Sequence, residues 1–160
     1  MTNDRILVVD DEETIREIVS SMLAGAHFQA RQAASGNEAL SILESSEEFD
    51  LVLSDLMMPE MDGIALLEQV KERYPDMPIV MVTAVHDISI ALATMRNGAF
   101  DYLTKPFERA QLLNAVGRAL ENRRLKLDHR AYVSSLEAQV ATLTEELPVR
   151  KSSRRFCNSL

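Results

Sequence analysis

Five short β-branched or aliphatic runs alternate with longer stretches of helical periodicity, and no other feature limits the possible folds of this chain so strongly. The runs are Ile6 to Val9, Phe28 to Arg31, Leu51 to Ser54, Ile79 to Thr83 and Phe100 to Leu103. Alternation of this kind specifies a parallel sheet flanked by helices. The first, third and fourth runs are nearly unbroken aliphatics, as expected of strands buried on both faces. The stretches between them carry helix signals. Ile15, Ile18, Val19, Met22 and Leu23 form one apolar stripe, with Gly25 expected as its C-terminal stop. Ser35 followed by Glu38 is a capping-box pattern ahead of Ala39, Leu40 and Leu43. Asp62 is placed to cap a helix with Leu66, Leu67 and Val70 facing inward, and Asp87 opens a run that ends at Asn97-Gly98. Crossovers of one hand then put helices on both faces of the sheet, giving three layers.

The fifth helical stretch is longer than one domain can cover. Its signals begin after Pro106 and continue to about Leu147 with no proline before Pro148, against a mean helix of roughly 12 residues. From Leu125, the residues His129, Tyr132, Leu136, Val140, Leu143 and Leu147 follow at spacings of 4, 3, 4, 4, 3 and 4, close to a coiled-coil seam with one stutter. The expectation is a helix that projects from the domain and pairs with a second copy. A solvated linker helix, or one folded back on its own domain, is the alternative, because two seam positions are His and Tyr. The chain thus reads as a domain over 1–122, a projecting coiled-coil helix over 123–147 and a basic, disordered tail over 148–160.

Composition excludes several classes. With 160 residues, 46% of them apolar and 26% charged, the chain is sized for one full core plus an appendage. No apolar run approaches the roughly 20 residues that span a bilayer, and the amino terminus turns acidic where a signal peptide would be apolar, so a cytoplasmic protein is expected. A single Cys157 rules out an internal disulfide framework and a cysteine-rich metal site. The net charge is −8, and Arg150, Lys151, Arg154 and Arg155 lie in the tail, so residues 1–147 carry −12. That balance disfavours nucleic acid as a partner of the main body and favours a cation or a basic partner, although a surplus of carboxylates also serves as a solubilising surface.

In an open sheet of this kind, ligands bind outside the carboxyl ends of the strands. The first strand ends in Asp10-Asp11-Glu12-Glu13, the third in Asp55, the fourth in Thr83 and the fifth in Thr104-Lys105-Pro106. Carboxylates crowded on one rim repel unless a cation sits among them. Mg²⁺ suits such a place, since it takes oxygen ligands from one or two carboxylates and leaves room for phosphate. Asp10 or Asp11 together with Asp55 meets that need. Asp55 is also a competent nucleophile toward phosphorus, and Mg²⁺, Lys105 and the Thr83 hydroxyl are each able to meet one oxygen of the transferred group.

Four segments in order, Val8-Val9-Asp10-Asp11-Glu12, Leu53 through Gly63, Val82-Thr83-Ala84 and Tyr102 through Phe107, resemble the receiver family of bacterial response regulators over about residues 4–122. The resemblance implies a flavodoxin-like, doubly wound α/β fold with five parallel strands in the order 2-1-3-4-5. It implies that Asp55 is the phosphoacceptor, that Asp10, Asp11 and Asp55 hold Mg²⁺ with the backbone carbonyl of Met57, and that Thr83, Ala84, Lys105 and Tyr102 bind the phosphoryl group and switch. It also implies a cis bond before Pro106. The partner implied is a sensor histidine kinase or phosphotransfer protein. Phosphorylation would then change the surface of the fourth helix, fifth strand and fifth helix, with the signal relayed through the coiled coil of a homodimer. The chain would be no enzyme beyond its own phosphotransfer and slow dephosphorylation.

Other features take plainer readings. Met57, Met58 and Met61 read as adaptable loop packing, since Mg²⁺ does not use sulfur. His27, His86 and His129 are scattered, with His86 expected to face solvent. No output signature follows residue 122, so the module acts through its coiled coil or continues into a further domain. Two rivals stand beside the switch: a phosphorylation-independent dimerisation scaffold, and an aspartate-nucleophile phosphatase. The second is disfavoured because such enzymes place an acid two residues after the nucleophile, where this chain has Met57.

Overall fold

The computed structural model describes residues 4–146, with side chains described as far as Val140. The element order is β1 (Arg5–Val9), α1 (Glu13–Gly25), β2 (Gln29–Ala33), α2 (Gly36–Glu44), β3 (Leu51–Ser54), α3 (Gly63–Arg73), β4 (Ile79–Thr83), α4 (Ile88–Arg96), β5 (Asp101–Thr104) and α5 (Arg109–Glu146). The five strands form one sheet in the order β2-β1-β3-β4-β5, with every pair parallel. The strand alternation legible in the sequence is therefore realised as a flavodoxin-like sheet.

The side-chain period of two divides the core between the two faces of the sheet. Ile6, Val8, Leu51, Leu53, Val80 and Val82 point to the side covered by Val19 and Leu23 of α1 and by Leu112, Ala115, Val116, Ala119 and Leu120 of α5. Leu7, Val9, Val52, Ile79 and Met81 point to the other side, covered by Ala39, Leu40 and Leu43 of α2 and by Leu66, Leu67 and Val70 of α3. Each of the larger side chains contributes roughly 1.5–3 kcal/mol by leaving water. The central strands β3 and β4 are buried along their whole length.

The helix starts are those the sequence specifies. Ser35 accepts a hydrogen bond from the Glu38 amide, Asp62 from that of Ala65, and Asp87 from those of Ser89 and Ile90. Three expectations shift. β2 runs from Gln29 to Ala33 and β5 from Asp101 to Thr104, so Phe28 and Phe100 precede their strands and instead pack against the α1–α5 core. Gly25 does not stop α1; it is the last helical residue. The left-handed turn falls at His27, whose φ is 70°, and the amides of Phe28 and His27 bond to the carbonyls of Leu23 and Ala24 at 3.0 Å, a Schellman closure. Within the α1 stripe Ile18 is exposed, because the packed arc centres on Val19 and Leu23.

The chain divides after Arg123 into two compact units. In the first, Asp50, just before β3, accepts hydrogen bonds from the Arg5 amide and from Arg123 of α5, both at 3.0 Å. In the second, α5 continues to Glu146, and Leu125, Tyr132, Leu136 and Val140 are exposed. The Leu143 side chain, Leu147, the basic tail and Cys157 lie outside the described residues.

Candidate functional site

The carboxyl ends of β1, β3 and β4 and the turn after β5 meet on one rim. The Asp55 amide donates to the Val9 carbonyl at 2.9 Å, which continues the β1–β3 ladder by one residue, and the Lys105 amide donates to the Thr83 carbonyl at 2.7 Å, which does the same for β4–β5. Carboxylate oxygens of Asp10, Asp11 and Asp55 lie within 4.8 Å of one another. The Lys105 ammonium reaches across to Asp10 Oδ2 at 2.8 Å and Asp55 Oδ2 at 3.3 Å. Asp10 and Asp55 are buried, and Asp11 is exposed.

Each carboxylate is held in a set orientation. Asp55 Oδ1 accepts from the amides of Leu56 and Met57 at 2.7 and 3.3 Å, which leaves Oδ2 toward Lys105. Asp10 Oδ1 accepts from the Glu12 amide at 2.9 Å. Charges in the cluster do not balance: three carboxylates face one ammonium. Burial raises the Asp10 pKa, and the Asp55 charge adds to that rise, against the pull of Lys105 and the Glu12 amide. Burial alone would lower the Lys105 pKa, but Asp10 and Asp55 outweigh it, and the ammonium ends above its ordinary value. The pocket thus holds its cation firmly and is still short of positive charge.

The loop after Asp55 explains two residues of the Leu53–Gly63 segment to which the sequence assigns no role of their own. A Cβ on Gly63 would lie 2.4 Å from the Asp55 carbonyl oxygen and 2.7 Å from Leu56 Cα, while the Gly63 amide donates to the Leu56 carbonyl at 2.8 Å. Glycine is therefore required where α3 starts against the backbone of Asp55 and Leu56. Glu60 has φ 68° and the Met61 amide bonds to the Pro59 carbonyl at 2.8 Å, a γ-turn of the rare, strained hand. The Met57 side chain is 63% exposed, whereas Met58 is buried and Met61 packs on the core. Only the latter two serve as the loop packing expected of the methionine cluster.

Thr83 is buried and its hydroxyl accepts from the Val85 amide at 3.3 Å, and Ala84 beside it is exposed. Tyr102 packs partly buried against the α2–α3 core, with its hydroxyl donating to the Val85 carbonyl at 2.9 Å. Burial raises the phenol pKa, with the charges of Asp55 and Asp87 adding to the rise. The Lys105-Pro106 bond is cis. His86 is exposed. Arg16, which no motif singled out, donates to the Asp10 carbonyl at 2.7 Å and to the Gln32 side chain at 3.2 Å. An arginine in the first turns of a helix has no sequence signature for a bond to a main-chain oxygen.

Comparison with known proteins agrees with this geometry. The family described as "Response regulator receiver domain" matches residues 6–117. The DNA-binding transcriptional regulator NtrC of Salmonella typhimurium is 42% identical over 117 residues, covering 73% of this chain and 25% of that protein. The C4-dicarboxylate transport transcriptional regulatory protein DctD of Rhizobium meliloti is 35% identical over 133 residues, covering 83% of this chain and 29% of that one. The chain thus spans about a quarter of the length of the curated relatives it matches. Among solved structures, a receiver domain protein from Clostridium thermocellum superimposes with a TM-score of 0.72 at 32% identity, covering 76% of this chain and 98% of that one. NtrX from Brucella abortus superimposes with a TM-score of 0.77 at 34% identity, covering 81% of this chain and 29% of that one. Because the family match runs from β1 into α5 and takes in every residue of the acidic rim, this chain belongs to the response regulator receiver family.

Proposed function

We propose that the chain accepts a phosphoryl group on Asp55 from the phosphohistidine of a sensor kinase or phosphotransfer protein in the cytoplasm, and that the added charge changes the surface of α4, β5 and α5. The observation that carries this reading is Lys105 bridging Asp10 and Asp55 while Asp11 completes a three-carboxylate cluster. In the transfer an Asp55 carboxylate oxygen bonds to phosphorus as the phosphorus–nitrogen bond breaks, and the imidazole leaves with the electron pair.

The donor set fits Mg²⁺. The cluster offers hard oxygen ligands only, and its three carboxylates and one ammonium leave two negative charges that one divalent ion offsets. Asp10, Asp11, Asp55 and the backbone carbonyl of Met57 would hold the ion. When bound, it supplies charge neutralisation to the phosphoryl oxygens. Lys105 is positioned to pair with a second oxygen once the phosphoryl group stands beside Asp55, which draws it from Asp10. The Thr83 hydroxyl, now held by the Val85 amide, is the donor for a third oxygen. Moving it disturbs the Val85 segment to which Tyr102 is bonded, and so links the site to β5. Catalysis is limited to this phosphotransfer and slow loss of the group.

The exposed seam residues of α5 support self-association through a coiled coil as the route onward. Those relatives named as transcriptional regulators make control of transcription the proposed output. No described helix is long and apolar enough to cross a membrane.

Treatment with Mg²⁺ and acetyl phosphate, followed by intact mass measurement, tests the proposal. One phosphoryl adduct on the wild type, lost in Asp55→Asn, is expected. Sustained turnover of external phosphomonoesters would instead indicate a phosphatase, and no adduct under donor excess would leave a scaffold.

A further inference from the structure

Every hydrogen-bonding group of Asp10 except its carbonyl is used by the rim itself. The amide donates to the Ala33 carbonyl at 3.2 Å, Oδ1 accepts from the Glu12 amide and Oδ2 from Lys105. The carbonyl lies one residue past the end of β1, where the ladder to β3 has already been closed by Asp55 bonding to Val9. It is met by Arg16 Nη1 at 2.7 Å. The same guanidinium is steadied through Nε by Gln32 at 3.2 Å, and Gln32 sits on β2 in register with Val8. Arg16 itself is fixed in the first turn of α1, its amide bonded to the Glu12 carbonyl at 3.1 Å.

The orientation of the Asp10 carbonyl is the orientation of the Asp10–Asp11 peptide plane, because the peptide unit is rigid. That plane fixes the Asp11 N and Cα, and so the point from which the Asp11 side chain leaves the backbone. Asp11 is exposed, so packing does little to set its direction. Resting on the reading of the rim as a Mg²⁺ site, we propose that Arg16 is a positioning residue for that site: by clamping the Asp10 carbonyl it holds Asp11 beside Asp10 and Asp55, without touching either the ion or the phosphoryl group.

The proposal makes a prediction whose sign separates it from a through-space effect of charge. Removing a positive charge near three carboxylates makes the local potential more negative and, acting alone, tightens the binding of a cation. Loss of the clamp weakens it. The test is Mg²⁺ titration of the full chain followed by amide NMR shifts, on wild type, Arg16→Ala and Arg16→Lys, with urea midpoints measured in parallel. The expected result is a dissociation constant raised about 10-fold or more in Arg16→Ala, and a smaller rise in Arg16→Lys, which keeps one donor but loses the Gln32 tie. If Arg16→Ala does not fold, Arg16→Lys carries the test, again with a weakened Mg²⁺ response expected. Unchanged or tighter Mg²⁺ binding in a folded variant overturns the proposal, whatever happens to stability. A wild type with no saturable Mg²⁺ response overturns the metal reading itself and the proposal with it, whereas normal wild-type binding with an indifferent Arg16→Ala overturns the proposal alone.

Discussion

Lys105 and Asp10 carry opposed electrostatic demands, and these set the pH behaviour of the metal-free protein. Asp10 has a folded pKa above its ordinary 3.8, so the folded state keeps that proton over a range in which the unfolded chain has lost it. Stability from this group therefore falls as pH rises from 3.8 through the folded value, and Asp10→Asn should raise the urea midpoint at neutral pH without Mg²⁺ while abolishing Mg²⁺ binding. Loss of folding in that variant would show that the acid serves structure instead. Lys105 has a folded pKa above 10.5, so its contribution is complete below 10.5 and is lost as pH rises through the folded value. Lys105→Met leaves two buried carboxylates without their cation and should cost about 3 kcal/mol at neutral pH. That deficit should shrink on acidification, as Asp10 takes up its proton, and on adding Mg²⁺; an equal deficit at all pH values would contradict the pairing. The acids and Lys105 were legible in the sequence because each stands at the end of an aliphatic run. Arg16 was not, because its partner is a main-chain oxygen and the contact depends on the bend between β1 and α1.

At the scale of elements, strands and helix starts were readable and the joints between them were not. Cap residues act within three positions, so Ser35, Asp62 and Asp87 could be assigned locally. The end of α1 could not, since the pattern points to Gly25 as the stop, while the left-handed conformation falls on His27. A non-glycine residue there is strained, so His27→Gly should raise the thermal midpoint, by an amount equivalent to about 0.5–1 kcal/mol. An unchanged or lower midpoint would show that the imidazole makes a compensating contact. Gly63 teaches the opposite lesson. It belongs to the segment that carries the family resemblance, yet only the structure gives the reason, which is the 2.4 Å approach of an added Cβ to the Asp55 carbonyl. The clash is with backbone at the start of α3, so it cannot be relieved by rotating a side chain. Gly63→Ala should therefore cost about 1–3 kcal/mol and, by displacing Asp55, should slow phosphorylation by acetyl phosphate as well. A stable variant with normal phosphorylation would mean that the loop yields without moving Asp55.

For the whole molecule the question is how far α5 belongs to the receiver. Strand order came to the sequence reading only through resemblance, since adjacency in a sheet depends on crossovers that no local pattern encodes, and the structure now supplies it. The length of α5 was visible from the absence of breakers, but a seam with His129 and Tyr132 does not by itself specify a partner. The first unit gives a sharper criterion. α5 contributes Leu112, Ala115, Val116, Ala119 and Leu120 to the core, and Arg123 closes the far end of the sheet by bonding to Asp50, which is also held by the Arg5 amide. A chain ended after residue 122 loses that arginine, whereas one ended after Arg124 keeps it. Both should fold, since both keep the apolar face of α5, and the longer should be the more stable by about 1–2 kcal/mol for a partly exposed, charge-assisted bond. Self-association is expected to fall in both relative to the full chain when measured by sedimentation, because the seam from Leu125 onward is gone from each. If the two truncated chains still dimerise as the full chain does, the contact between copies lies on the receiver unit, and α5 beyond Arg123 has some task other than pairing.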